Sequence, residues 1–199
     1  MTKKVLLDLG NVVLGVDFRR VFAYWAAAAG VPEAVFHERW AMDDAYQAHE
    51  TGHMSFPDYA ASLSQRFRID LPTQVWLDGW NSIWTQPFSS VTALLPRVAA
   101  RYDLYAFSNT NPAHVAQFNA QYDDALGHFV DVYTSCSLGR RKPDPAAFHS
   151  VCSRMQCEPA DVIFLDDTAE NVTGAASIGM DARHVGGNAA VARELATLL

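Results

Sequence analysis

The chain has 199 residues, 50% hydrophobic and 19% charged, enough apolar side chain for one packed domain or one domain carrying a smaller insert. That excludes a disordered chain, and 11 Gly with 9 Pro excludes a fibrous or low-complexity one. A net charge of −7, from 22 acidic against 15 basic residues, argues against a nucleic-acid partner, and no apolar run approaches the roughly 20 residues of a membrane span.

The first apolar run, Val5-Leu6-Leu7, meets Asp8 too early to form a secretory apolar core. Cys136, Cys152 and Cys157 are sparse and show no CxxC spacing. A reduced, cytoplasmic protein of enzyme size, with no membrane partner, is the expected class. The run itself reads as a short β-strand leading into the turn Asp8-Leu9-Gly10-Asn11.

Residues 15–88 read differently. They hold all five tryptophans and 14 of the 23 aromatics. Phe18, Phe22 and Trp25 follow helical spacing, as do Trp76, Trp80 and Trp84, and no convincing strand interrupts them. The expectation is a small helical insert whose aromatic stripes are mainly core, with Trp25 or Trp40 as candidates to stack on a ligand. Within it, His49-Glu50-Thr51-Gly52-His53 matches H-E-x-x-H, a zinc pattern that needs both histidines on one helical face. Gly52 reads as a helix C-terminal glycine and Ser55 as the next N-cap, which puts His53 in a turn. The match is read as coincidence.

Beyond the insert, strand-like runs alternate with helical patterns. Leu104–Phe107 leads into Ser108-Asn109, and Val162–Leu165 into Asp166-Asp167-Thr168; Val130–Tyr133 and Ala182–Val185 are weaker strands. Runs apolar throughout indicate strands covered on both faces, and the alternation predicts an α/β fold with a Rossmann-like, doubly wound parallel sheet. The expected division is a core of residues 1–14 and 89–199 and a helical cap of residues 15–88.

Ligands of such a sheet sit at the carboxyl ends of the strands, and polar residues cluster there. Asp8 is placed to attack phosphorus as a carboxylate nucleophile, although a lone aspartate also serves to cap a turn. Ser108 offers a hydroxyl beside the Asn109 N–H, a pair suited to phosphate oxygens; its other use is as a helix cap before Pro112. Lys142 lies in Arg140-Arg141-Lys142-Pro143-Asp144-Pro145, a loop stiffened by two prolines, where a fixed ammonium neutralises a phosphoryl group and its nucleophile. Asp166 and Asp167 are paired acids that favour a hard divalent cation, and two acids exceed what a cap requires.

With these residues in this order, the chain resembles the haloacid dehalogenase (HAD) superfamily of phosphohydrolases from Asp8 to about Gly179. Ser137-Leu138-Gly139-Arg140-Arg141-Lys142-Pro143-Asp144-Pro145 and Phe164-Leu165-Asp166-Asp167-Thr168-Ala169-Glu170-Asn171-Val172 are similar to that family almost word for word. Within it, Asp8-Leu9-Gly10-Asn11-Val12 looks most like the subgroup related to α-D-glucose-1-phosphate phosphatase. The resemblance implies Asp8 as nucleophile, Ser108 and Asn109 as phosphate binders, and Lys142 as the cationic stabiliser that also meets substrate. It implies Mg²⁺ held by Asp8, the Gly10 carbonyl, Asp166 and Asp167, with Asp167 the direct carboxylate ligand of the pair. The helical insert stands where many members carry the cap over the active site.

One position departs from the pattern. Most members have a second aspartate, the general acid and base, two residues after the nucleophile; here that residue is Gly10. The implied function is a Mg²⁺-dependent phosphatase of a small phosphorylated metabolite, with sugar phosphates among the candidates, acting as a monomer or homodimer. The alternatives are a weak or silent phosphometabolite-binding protein and a 2-haloacid dehalogenase, whose chemistry needs no metal.

Overall fold

A computed structural model of the chain describes residues 3–199; Met1 and Thr2, counted above with the core, lie outside them. Among the described residues seven strands form: β1 (Lys4–Leu7), β2 (Leu14–Val16), β3 (Trp84–Pro87), β4 (Asp103–Ser108), β5 (Asp131–Thr134), β6 (Val162–Asp166) and β7 (Asp181–His184). Five of them make one parallel sheet in the order β5-β4-β1-β6-β7. The chain leaves β1 on one side for β4 and β5, then returns to the other for β6 and β7.

The apolar runs are explained by cover on both faces. Side chains alternate across a strand, so each run divides between two cores. Val5, Leu7, Leu104, Ala106, Ile163 and Leu165 enter one apolar cluster; Leu6, Tyr105, Phe107, Val162 and Phe164 enter the other.

The helices are α1 (Phe18–Ala29), α2 (Ala34–Arg39), α3 (Asp44–Glu50), α4 (Phe56–Phe67) and α5 (Thr73–Asn81) in the insert. They continue with α6 (Ser89–Thr92), α7 (Leu95–Ala99), α8 (Pro112–Gln121), α9 (Asp123–Leu126), α10 (Ser135–Leu138), α11 (Pro145–Met155), α12 (Ala169–Ser177) and α13 (Asn188–Thr197). Among the described residues no helix is long and apolar enough to cross a membrane.

The strandless reading of residues 15–88 needs correcting at both ends. Strands β2 and β3 pair antiparallel as a separate two-stranded ribbon through which the chain enters and leaves the helical segment. Trp76 and Trp80 lie on α5, but Trp84 opens β3, so the helical spacing ran one tryptophan too far. The strands of the ribbon are three and four residues long with a register irregularity, too short to show an alternating pattern in the sequence.

The insert shares its core with the sheet's near face. Trp25, Trp76 and Trp80 are fully buried, each ring removing about 150–250 Å² from water. Trp80 also stacks on His114 of α8 at 4.9 Å, and His114 Nε2 donates to the Trp80 carbonyl at 3.1 Å. Asn111 Nδ2 donates to the other ring nitrogen at 3.0 Å, which fixes the histidine as neutral.

Candidate active site

The carboxyl ends of β1, β4 and β6 meet where the strand order reverses. Asp8 follows β1, its N–H donating to Leu165 O at 2.9 Å; Ser108 ends β4 and Asp166 ends β6. Lys142 comes from the loop between α10 and α11. Its Nζ donates to Asp8 Oδ1 at 2.7 Å, to Asp166 Oδ2 at 2.7 Å and to the Phe107 carbonyl at 2.8 Å. All three ammonium protons are thereby committed. The rings of Phe107 and Phe164 stand 5.2 and 5.5 Å from the same nitrogen.

Two contacts hold the lysine loop. Asn109 Nδ2 donates to Lys142 O at 2.9 Å, and Lys142 N–H donates back to Asn109 Oδ1 at 2.8 Å. Beneath the loop, a Cβ at Gly174 would come within 2.3 Å of the Pro143 carbonyl, so only glycine lets α12 pack this closely. The Asn109 side chain therefore positions Lys142; its N–H, beside the Ser108 hydroxyl, is what remains for a ligand. Ser108 is free of capping because Asn111 caps α8, its Oδ1 accepting from His114 N–H at 3.1 Å.

The two acids after β6 differ sharply. Asp166 is fully buried: Oδ1 accepts from Thr168 N–H at 2.8 Å and Asn171 Nδ2 at 3.1 Å, and Oδ2 from Lys142 and again Asn171 at 3.1 Å. Asp167 is half-buried, and among the described residues its side chain accepts a hydrogen bond only from the Thr168 hydroxyl, at 3.3 Å. Carboxylate oxygens of Asp8, Asp166 and Asp167 lie within 4.8 Å of one another.

Burial pushes the Asp8 carboxyl upward, to about 7, against the pull of the Lys142 ammonium. Burial also raises Asp167, helped by the negative charge of Asp166. For Lys142, burial alone would lower the value, yet the two carboxylates outweigh it and hold the ammonium above the ordinary lysine range. Crowded acids raised in this way are what a divalent cation relieves.

These groups open into a cavity of about 430 Å³ whose lining includes Asp8, Gly10, Ser108, Asn109, Lys142 and Asp167, with Asp166 behind them. The seven residues singled out from the sequence are thus brought together. The insert's side of the cavity is mainly apolar, with Val16, Phe18, Met42, Tyr46, Ile83 and Trp84. Trp25 and Trp40, candidates for stacking beside their expected core role, are absent from the lining; Trp25 is fully buried and donates to the Trp76 carbonyl at 3.0 Å, and Trp40 packs on Phe18 at 4.6 Å. His49 and His53 do not form a metal site either. His49 is buried against Met54 O, Gly52 breaks the helix with φ +76°, and His53 sits in the turn.

The model of the haloacid dehalogenase-like hydrolases matches residues 2–179. The chain belongs to this family. A HAD family enzyme of Bacteroides thetaiotaomicron, solved in complex with magnesium and inorganic phosphate, has a TM-score of 0.80 at 21% identity, covering 93% of this chain and 94% of that one. Drimenol cyclase of Aspergillus calidoustus is 25% identical over 191 residues, 90% of this chain but 33% of that protein. A sesquiterpene phosphatase of Aspergillus oryzae is 34% identical over 71 residues, 36% of each chain. The chain spans about a third of the length of these curated relatives.

Two features of this HAD site were not read from the sequence. Asn171, on the first turn of α12, faces back to both Asp166 oxygens; its place just past a strand-end acid was the available signal. The second is the pairing of Arg141 with Glu50, 91 positions away, for which no local signal exists.

Proposed function

We propose that the chain is a Mg²⁺-dependent phosphomonoesterase that works through an aspartyl-phosphate on Asp8. The observation that carries this is the state of the Asp8 carboxylate: Oδ1 is clamped by Lys142, while Oδ2 accepts no hydrogen bond among the described residues and faces the cavity. The donor set suits Mg²⁺, since it is all oxygen and includes the Asp167 carboxylate, held only by the long bond from the Thr168 hydroxyl among the described residues, and the Gly10 carbonyl, which accepts no hydrogen bond from them. Asp8, Gly10 and Asp167 would hold the ion, with Asp166 behind them, and when bound it would neutralise charge shared by nucleophile and phosphoryl group.

The remaining chemistry belongs to the chain's own groups. Asp8 Oδ2 attacks phosphorus and the ester oxygen leaves with the bonding pair, taking a proton from water or from the substrate because Gly10 supplies none. The Ser108 hydroxyl and the Asn109 N–H hold phosphoryl oxygens. Lys142 orients the nucleophile and balances its charge, its own protons being occupied. Water then attacks phosphorus, releasing phosphate and restoring Asp8.

The test is a panel of phosphate esters assayed with Mg²⁺ or with EDTA. Metal-dependent phosphate release that falls by at least about 10³-fold in Asp8→Asn supports the mechanism. Full turnover in that variant would sink it. Halide release from haloacids, or ligand binding without turnover, would point to a dehalogenase or a sensor instead.

A further inference from the structure

The neighbours Arg141 and Lys142 send their side chains to opposite ends of the cavity. Lys142 runs to the strand ends. Arg141 runs to the helical insert, where its Nε donates to Glu50 Oε2 at 2.5 Å. Glu50, the last residue of α3, is buried and itself anchored: its other oxygen accepts from the Tyr46 hydroxyl at 2.9 Å, and its carbonyl accepts from Ser135 Oγ at 2.6 Å. A fixed carboxylate therefore fixes the guanidinium.

The outer edge of that guanidinium is unused. Nη1 and Nη2 find no acceptor among the described residues, and Arg141 lines the cavity with its side chain 27% exposed. The rest of the insert's wall is poor in donors: Phe18, Met42 and Ile83 are apolar, the Tyr46 hydroxyl serves Glu50, and Trp84 has only its buried indole N–H. A forked donor on an otherwise apolar wall, away from the strand ends, faces the part of a substrate that is not the phosphoryl group.

We propose that Arg141 is a specificity-determining residue that reads an oxygen acceptor on the leaving group, so that the substrate is a phosphomonoester also bearing a carboxylate or a carbonyl. Glu50 is its positioning residue. The inference rests on the phosphatase reading and adds the substrate class to it.

The experiment compares phenyl phosphate with 3-carboxyphenyl and 3-carbamoylphenyl phosphate in the presence of Mg²⁺. The readout is the ratio of kcat/KM for each acceptor-bearing ester to that for phenyl phosphate, which cancels any loss of folded enzyme. The wild type should favour one acceptor-bearing ester by about tenfold or more, as one charge-assisted hydrogen bond allows, with the preference carried mainly in KM. The two arms separate a carboxylate from a carbonyl. Arg141→Gln should bring the ratio close to one, and Arg141→Lys, which keeps charge but loses the fork, should fall between. Glu50→Ala should lower the ratio and Glu50→Gln, which keeps an acceptor for Nε, should restore part of it. A ratio unchanged in Arg141→Gln, or near one in the wild type, overturns the inference. If no ester is hydrolysed, the phosphatase reading fails, and calorimetry still reads the contact. An acceptor-bearing ester should bind Asp8→Asn about tenfold more tightly than it binds Asp8→Asn/Arg141→Gln, and equal affinities would overturn the inference.

Discussion

Lys142 and Asp8 are 134 positions apart in the chain, yet the ammonium of one stands 2.7 Å from the carboxylate of the other. The same ammonium is also 2.7 Å from Asp166, so one buried cation separates two buried anions. Replacing Lys142 with Met keeps the length of the side chain and leaves both carboxylates unpaired. Removing one partner of a buried ion pair costs about 3–5 kcal/mol. Urea unfolding of Lys142→Met without metal should show a loss of that order, and kcat should fall at least about a hundredfold. Stability equal to wild type would mean that the triad is not charged as described.

Asp166 and Asp167 should fail differently. Asp166 is the hub for Lys142, Asn171 and the Thr168 N–H, so Asp166→Asn should destabilise the metal-free protein by a few kcal/mol. Asp167 has little structural duty, so Asp167→Asn should leave metal-free stability within about 0.5 kcal/mol. Its defect should lie in Mg²⁺ affinity, weakened about tenfold or more in a titration of activity against the ion. Asp167→Asn with wild-type affinity would remove it from the ligand set.

In the proposed mechanism, Gly10 supplies no carboxylic acid from the first loop to the leaving group. Wild-type turnover should therefore fall steeply as leaving-group pKa rises, aryl and anomeric phosphates outpacing alkyl ones. The structure leaves room to test this: a Cβ at Gly10 would lie 3.4 Å from Val16 Cγ2 and 3.9 Å from Asp8 Oδ2, ordinary contacts. Gly10→Asp should raise kcat for alkyl phosphates by about 10-fold or more and change aryl phosphates little. A flat dependence in the wild type, with chemistry rate-limiting, would assign the acid role to another residue.

His114 couples the insert to the core as a neutral ring, and burial drives its pKa down to about 3. The unfolded chain protonates the same ring near 6.5, so between these values unfolding takes up a proton. The stability it supports is complete above about pH 6.5 and is lost as pH falls, at up to about 1.4 kcal/mol per pH unit. His114→Gln should reduce that slope by about one proton when urea unfolding is followed from pH 7 to pH 4. An identical slope in the two proteins would show that His114 does not titrate on unfolding.

The sequence by itself determined the parallel α/β core and the carboxylates at its strand ends, because those signals are local. Val5–Leu7 and Val162–Leu165 must be covered on both faces whatever surrounds them, and an acid directly after such a strand must lie at its carboxyl end. Tertiary structure alone decided what each polar group does there. Asn109 reads as a phosphate binder through its N–H, but that its side-chain amide is spent on the Lys142 backbone, and the protons of Lys142 on Asp8, Asp166 and Phe107, is not legible in the sequence. A donor has few protons, and which acceptor takes each depends on partners 24 to 134 positions away. The same holds for Arg141, which reads as one more cation in a basic loop until Glu50, 91 positions earlier, turns it into the cavity wall.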